Sequence, residues 1–195
     1  ANGALSADGT EGEIRRKMIE RGLVEAIVIL PRNLFYSTDI SVTLWILNAN
    51  KKARIVHRNG EEIHYRDREK EILFIDMRQM GEPFEKKYVR FTDEDICKVA
   101  DAYHNWQREG HTETYTDIPE FCKSVSVGED GGIADKGFSL VPSKYIEFVN
   151  RDESVDYDIR MKELQLELAD ILRQEAKSRE SVLNVFKSLG YEIEL

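Results

Sequence analysis

Two apolar runs separated by a short polar loop dominate the pattern of this chain. Val24–Leu30 and Val42–Leu47 are rich in β-branched and aliphatic residues and show no regular polar–apolar alternation. Runs of that length suit strands buried on both faces, as in the sheet of an α/β protein. The intervening segment carries adjacent aromatics, Phe35 and Tyr36. Loops at the ends of such strands are where these folds place their chemistry. Eleven residues also make a long connection for two neighbouring strands. Either both rings fold back onto the core, or they are presented outward to pack on a ligand.

The flanking pattern extends the α/β reading. Glu11 to Arg21 predicts a helix with Ile14, Met18 and Ile19 on one face, acidic residues in its first turn and Gly22 as its stop. Residues 53–68 alternate on either side of Asn59-Gly60, a pair that accepts the positive φ values of a type I′ turn and so predicts an exposed hairpin. Ile72–Ile75 predicts another short buried strand. From Thr92 a capped helix runs towards Gly110 with Ile96, Val99, Ala100, Tyr103 and Trp106 as its buried stripe. Residues 110–137 are polar and glycine-rich and predict a mobile connection, followed by a strap over 138–148. A long helix is expected from Asp156 to Leu189. Met161, Leu164, Leu168, Ile171, Val182, Val185 and Leu189 recur along it at three- and four-residue steps, interrupted by Glu175 and Ser178. That stripe fits either a partner's surface or the helix's own domain, and its polar middle allows one helix or two.

Composition narrows the chemistry. The 195 residues are 41% apolar and 33% charged, enough for a core under a well-solvated surface. Cys97 and Cys122 are far apart with no CxxC or Cys/His spacing, and the four histidines form no ligand pattern, so no metal site is expected. A net charge of −9 does not suit a protein that coats nucleic acid uniformly. Residues 1–60 nevertheless hold nine Lys/Arg against six Asp/Glu, which permits DNA contact near the first loop. Without a membrane-length apolar run or a signal peptide pattern, the expected location is the cytoplasm.

Four pieces carry a resemblance in order: Asn2-Gly3 with Glu11-Gly12-Glu13-Ile14-Arg15; Leu30-Pro31 with Asn33-Leu34-Phe35-Tyr36; Ile72-Leu73-Phe74-Ile75-Asp76; and Phe121-Cys122-Lys123-Ser124 leading to Leu140, Pro142 and Tyr145. Over roughly residues 1–150 the chain resembles the modification subunit of type I restriction–modification systems, the DNA adenine-N6 methyltransferases. The resemblance implies the C-terminal part of a Rossmann-like, S-adenosylmethionine-dependent methyltransferase fold, followed by a helical tail. It divides the chain into residues 1–115 as half of the α/β domain, with 53–68 as an inserted hairpin, 116–150 as a connecting strap, and 151–195 as a tail for subunit contact.

The family's glycine turn after the first strand and its Asn-Pro-Pro-Phe/Tyr motif are absent. The segment is therefore expected to be part of a longer polypeptide, to hold no catalytic residue of its own and to bind no S-adenosylmethionine alone. By resemblance the parent flips an adenine from double-stranded DNA and methylates it. Phe35 and then Tyr36 are the candidates for stacking on that base, and Arg32 is the candidate for a phosphate. Ser143-Lys144 stands where the family has Gly-Arg, so the DNA contact the resemblance would give that arginine is not carried over. Expected partners are the specificity and restriction subunits, with Met161, Leu164, Leu168, Ile171, Val182, Val185 and Leu189 as contact candidates. The alternative is a non-catalytic assembly module that docks the specificity subunit. An unrelated nucleotide-binding α/β protein is disfavoured by the lack of a glycine-rich phosphate loop.

Overall fold

The computed structural model describes residues 2–128, 130–149, 157–188 and 190. Residues up to Val149 form one compact unit, and Asn150–Leu195 form a second.

The first unit is built on a four-stranded sheet. Its strands are β1 (Val24–Ile29), β2 (Thr43–Leu47), β5 (Glu71–Asp76) and β8 (Cys122–Ser126), in the order β2-β1-β5-β8. β1 runs antiparallel to β2 and parallel to β5, and β8 returns antiparallel to β5. Every residue of β1 is buried. A bulge between Val24 and Ala26 shifts the phase of the strand, so Val24 and Ile27 face one side while Ala26, Val28 and Leu30 face the other. β5 alternates without interruption: Ile72 and Phe74 join the first layer, Leu73, Ile75 and Met77 the second.

Helix α1 (Gly9–Glu20) and the strap around Leu140, Tyr145 and Ile146 close the first layer. The buried face of α1 is carried by Arg15 and Ile19, whereas Ile14 is 54% exposed. The expected face is therefore rotated by one residue. Arg15 explains the shift, because its guanidinium donates to the carbonyls of Ala4, Ala7 and Phe138 and so is satisfied inside the unit. Tyr145 stacks on Phe74 with centroids 4.5 Å apart.

Helix α2 (Asp93–Gln107) closes the second layer. Thr92 caps it with a capping box: Asp95 N donates to the Thr92 hydroxyl, and the Asp95 carboxylate accepts from Thr92 N. Trp106 is fully buried and donates to the Ser124 hydroxyl at 2.8 Å. Ile96, expected in the buried stripe, is 54% exposed. The short helix α3 (His111–Thr114) follows.

Two elements depart from the sequence pattern. β8 lies inside the polar stretch expected to be a mobile connection, and it is held by five registered pairs with β5. β2 is half exposed rather than buried on both faces, because it is the outer strand of the sheet, with Leu44 and Leu47 open to solvent. β3 (Arg54–Arg58) and β4 (Glu61–Tyr65) pair as a hairpin, with Asn59 and Gly60 at φ 53° and 83° in its turn. A second hairpin pairs β6 (Glu82–Phe84) with β7 (Tyr88–Arg90).

The second unit is described from Tyr157 to Ser188 as one continuous helix, α4. The polar middle of its stripe does not break it, and an Arg179–Glu175 ion pair spans that point. Met161, Leu164, Leu168, Ile171, Val182 and Val185 are exposed along it. Leu189 lies outside the described residues.

Candidate functional site

The two ends of the sheet carry different chemistry. At the amino ends of β1 and β5 a set of charged groups is sealed from solvent. Glu25 receives hydrogen bonds from Asn48 at 2.6 Å, Gln107 at 3.0 Å and Arg68 at 3.1 Å. Burial alone would raise the Glu25 carboxyl; the bonds from Gln107 and Asn48 and the Arg68 guanidinium together outweigh it and hold it below the usual carboxylate value. Lys51 bridges the strands by donating to Val24 O at 2.8 Å and Glu71 O at 2.7 Å. These groups bind one another and the strand backbones, leaving one Arg68 guanidinium nitrogen without a hydrogen-bond partner, and we read this end as a structural brace.

The carboxyl ends of β1 and β5 present a loop instead. Leu30 N donates to Val42 O at 2.8 Å, which closes the base of the segment between β1 and β2. Pro31 is buried, and Leu34 packs against the second core layer. Between these anchors the loop turns its other side chains outward. Phe35 is 41% exposed and Tyr36 is 70% exposed. Thr38 N returns to Phe35 O at 3.4 Å, and Arg32 Nε donates to Asp39 O at 3.2 Å from an exposed position. The predicted Phe35, Tyr36 and Arg32 thus share one loop at one end of the sheet.

Three features at this end have no counterpart in the sequence reading. Asp76, at the end of β5, is bound by its neighbour Arg78, with Nη2 2.6 Å from Oδ2, so its carboxylate is already neutralised. The β6–β7 hairpin leans on the loop, with Val89 N donating to Asn33 O at 3.1 Å and the Tyr36 and Tyr88 rings edge to face at 4.6 Å. The hairpin tip carries Lys86 and Lys87, both exposed. Its turn, Glu85-Lys86-Lys87, holds no glycine or asparagine, so no turn signature marked it. The alternation of Phe84, Tyr88 and Phe91 around basic residues was the available signal.

The glycine-rich turn after β8 packs on its own backbone. Gly128 to Gly132 follows β8, and a Cβ at Gly132 would meet the backbone oxygens of Gly128 and Ser126. That glycine serves the turn's own backbone, not a close approach to a ligand. Among the described residues no cluster of His, Cys, Asp and Glu is placed to hold a metal ion, and no helix is long and apolar enough to cross a membrane.

The fold and this end of it define an α/β unit whose sheet presents an aromatic and basic loop at the carboxyl ends of its parallel strands. The chain belongs to the N-6 DNA Methylase family, whose pattern matches residues 1–154. It is 35% identical over 98% of its length to the type I restriction enzyme HindI methylase subunit of Haemophilus influenzae, of which it covers 39%. It is 31% identical over 98% of its length to the type I restriction enzyme MjaIX methylase subunit of Methanocaldococcus jannaschii, of which it covers 31%. The crystal structure of a type I restriction–modification methyltransferase subunit from Streptococcus thermophilus superposes with a TM-score of 0.56 and 25% identity, over 75% of this chain and 25% of that one. The chain thus spans little more than a third, or less, of the relatives it matches.

Proposed function

We propose that this chain is the C-terminal, DNA-facing region of a DNA adenine-N6 methyltransferase subunit of a type I restriction–modification enzyme. The observation that carries the reading is the outward Phe35-Tyr36 pair on a loop anchored by two sheet strands. Exposed adjacent aromatics cost solubility unless they pack on something, and a base removed from its stack needs a replacement surface. Flipping costs a few kcal/mol of lost stacking. One aromatic face returns about 1–3 kcal/mol. Phe35 is assigned the stacking role, with Tyr36 beside it and Arg32 at a backbone phosphate.

S-adenosylmethionine, when bound by the rest of the enzyme, supplies the methyl group. The residues of this chain orient the target base and exclude water from it. The remainder of the α/β domain is placed against the outer edge of β2 and the adjoining apolar groove of about 450 Å³, lined by Leu30, Leu44, Ile46, Ile96, Val99 and Tyr103. α4 is assigned to docking the specificity subunit, because its apolar side chains are exposed over most of its length. The restriction subunit joins through the assembled complex.

Phe35→Ala in the complete methyltransferase tests the reading. The expected result is a loss of kcat/KM of about 5- to 150-fold, equivalent to about 1–3 kcal/mol, with S-adenosylmethionine affinity unchanged. Loss of cofactor affinity or of folding would make Phe35 a core residue and end the stacking assignment.

A further inference from the structure

The stacking loop shares its end of the sheet with the tip of the β6–β7 hairpin. Three contacts join the two: the Val89–Asn33 backbone bond, the Tyr36–Tyr88 edge-to-face pair at 65° between planes, and the Tyr36 hydroxyl donating to the Glu85 carboxylate at 3.4 Å. The backbone at this junction is strained. Asn33, Glu85 and Lys86 adopt φ values of 59°, 43° and 55°, the left-handed region, which a side chain with Cβ occupies at a cost. Such conformations persist where the surroundings fix them and gather at binding sites. Two adjacent lysines, Lys86 and Lys87, stand at this tip.

The two lysines of the tip stand outside the ion pairs that hold their basic neighbours. Arg90 is paired with Glu82 at 2.6 Å and Arg78 with Asp76. Among the described residues neither Lys86 nor Lys87 has a carboxylate partner, and the Lys87 ammonium lies 5.4 Å from the Tyr88 ring centroid. Glu85, the acidic residue of the tip, accepts from the Tyr36 hydroxyl, and the two lysines outnumber it. A recess of about 540 Å³ opens beside these residues, lined by Glu85, Lys86, Lys87 and Tyr88. Compact ammonium charges beside an aromatic platform match a phosphodiester next to a base, since phosphate contacts fix register without reading sequence.

We propose that the β6–β7 tip is a phosphodiester-binding element: Lys86 and Lys87 hold the nucleic-acid backbone beside the base contacted by the 31–40 loop, and Tyr88 is a positioning residue that fixes the Tyr36 ring. The proposal rests on the loop being a base-contact site. The test is DNA binding by the complete methyltransferase as a function of salt, for wild type, Lys86→Gln/Lys87→Gln, Tyr88→Ala, Tyr88→Phe and Phe35→Ala. Removing two phosphate contacts reduces the slope of log K against log salt by about 2, equally on specific and non-specific duplexes. Tyr88→Ala leaves that slope intact and lowers methylation, and Tyr88→Phe restores it.

An unchanged slope in the double lysine variant, with wild-type thermal melting, overturns the element. If Phe35→Ala still loses methylation in that case, the stacking loop stands without it. A shortened slope combined with full activity of Phe35→Ala supports the lysines and removes the stacking assignment. Weakened subunit assembly with unaltered DNA binding would place an acidic protein surface at the tip instead, and would also overturn the proposal.

Discussion

Lys51 shows how single residues decide the stability of this unit. The residue is 2% exposed and its ammonium is held by two strand carbonyls, and burial pushes its pKa down to about 8 against the opposing pull of Glu25. The unfolded value is about 10.4. Between those two values the unfolded chain binds more protons than the folded one, so stability rises with pH across that window. Below about pH 8 both states are protonated and the full cost of the buried charge applies. Urea denaturation of wild type and Lys51→Met at several pH values should show wild type gaining on the variant from about pH 8 to 10.4. A constant difference would mean that Lys51 is not titrating in that range. The sequence conceals this role, because Lys51 and Arg68 stand in polar stretches that read as surface. Arg15 is concealed in the same way: its carbonyl partners come from two separated segments, at Ala4 and Ala7 and at Phe138, and periodicity sees only that Ile14 is apolar. Phe35 and Tyr36, by contrast, are conspicuous in the sequence, and only their direction had to come from the structure.

At the scale of elements, β1 and β5 were legible because their apolar runs at 26–30 and 72–75 are uninterrupted, and the β3–β4 hairpin because Asn59-Gly60 marks its turn. β8 was not. Its residues, CKSVS, include a lysine and two serines, and its burial depends on β5 lying alongside it. The β6–β7 hairpin carries no turn signature, because its turn uses Glu85 and Lys86 in a conformation ordinarily left to glycine or asparagine. α4 was legible as a helix, although its partner is not written in its own pattern. Leu168 is 56% exposed, so Leu168→Asp should change the stability of the isolated chain by less than about 0.5 kcal/mol. In a buried seam with the specificity subunit the same charge costs several kcal/mol. Size-exclusion chromatography of the co-expressed subunits should therefore show the complex lost and the monomer intact. A retained complex with a destabilised monomer would mean that the helix packs on its own chain.

The whole molecule divides its labour between the two ends of one sheet. A buried ionic brace at the amino ends of β1 and β5 leaves the carboxyl ends to carry a loop and a hairpin whose aromatic and basic groups face outward. Family and fold class were legible from four spaced motifs, and the N-6 DNA Methylase match and the Streptococcus thermophilus structure agree with both. The assembly of loop and hairpin into one surface was not, since about fifty residues separate Tyr36 from Tyr88 in sequence and only the parallel pairing of β1 with β5 brings them together. The central claim is that this surface holds the target base. Photo-crosslinking addresses it most directly: a duplex carrying 5-iodouracil at the target position couples, on irradiation, to an aromatic ring stacked upon it. With the complete methyltransferase, peptide mapping should place the adduct on Phe35, with Tyr36 as the secondary site, and Phe35→Ala should remove the main product. Adducts confined to residues outside 31–40, with the loop unlabelled, would contradict it.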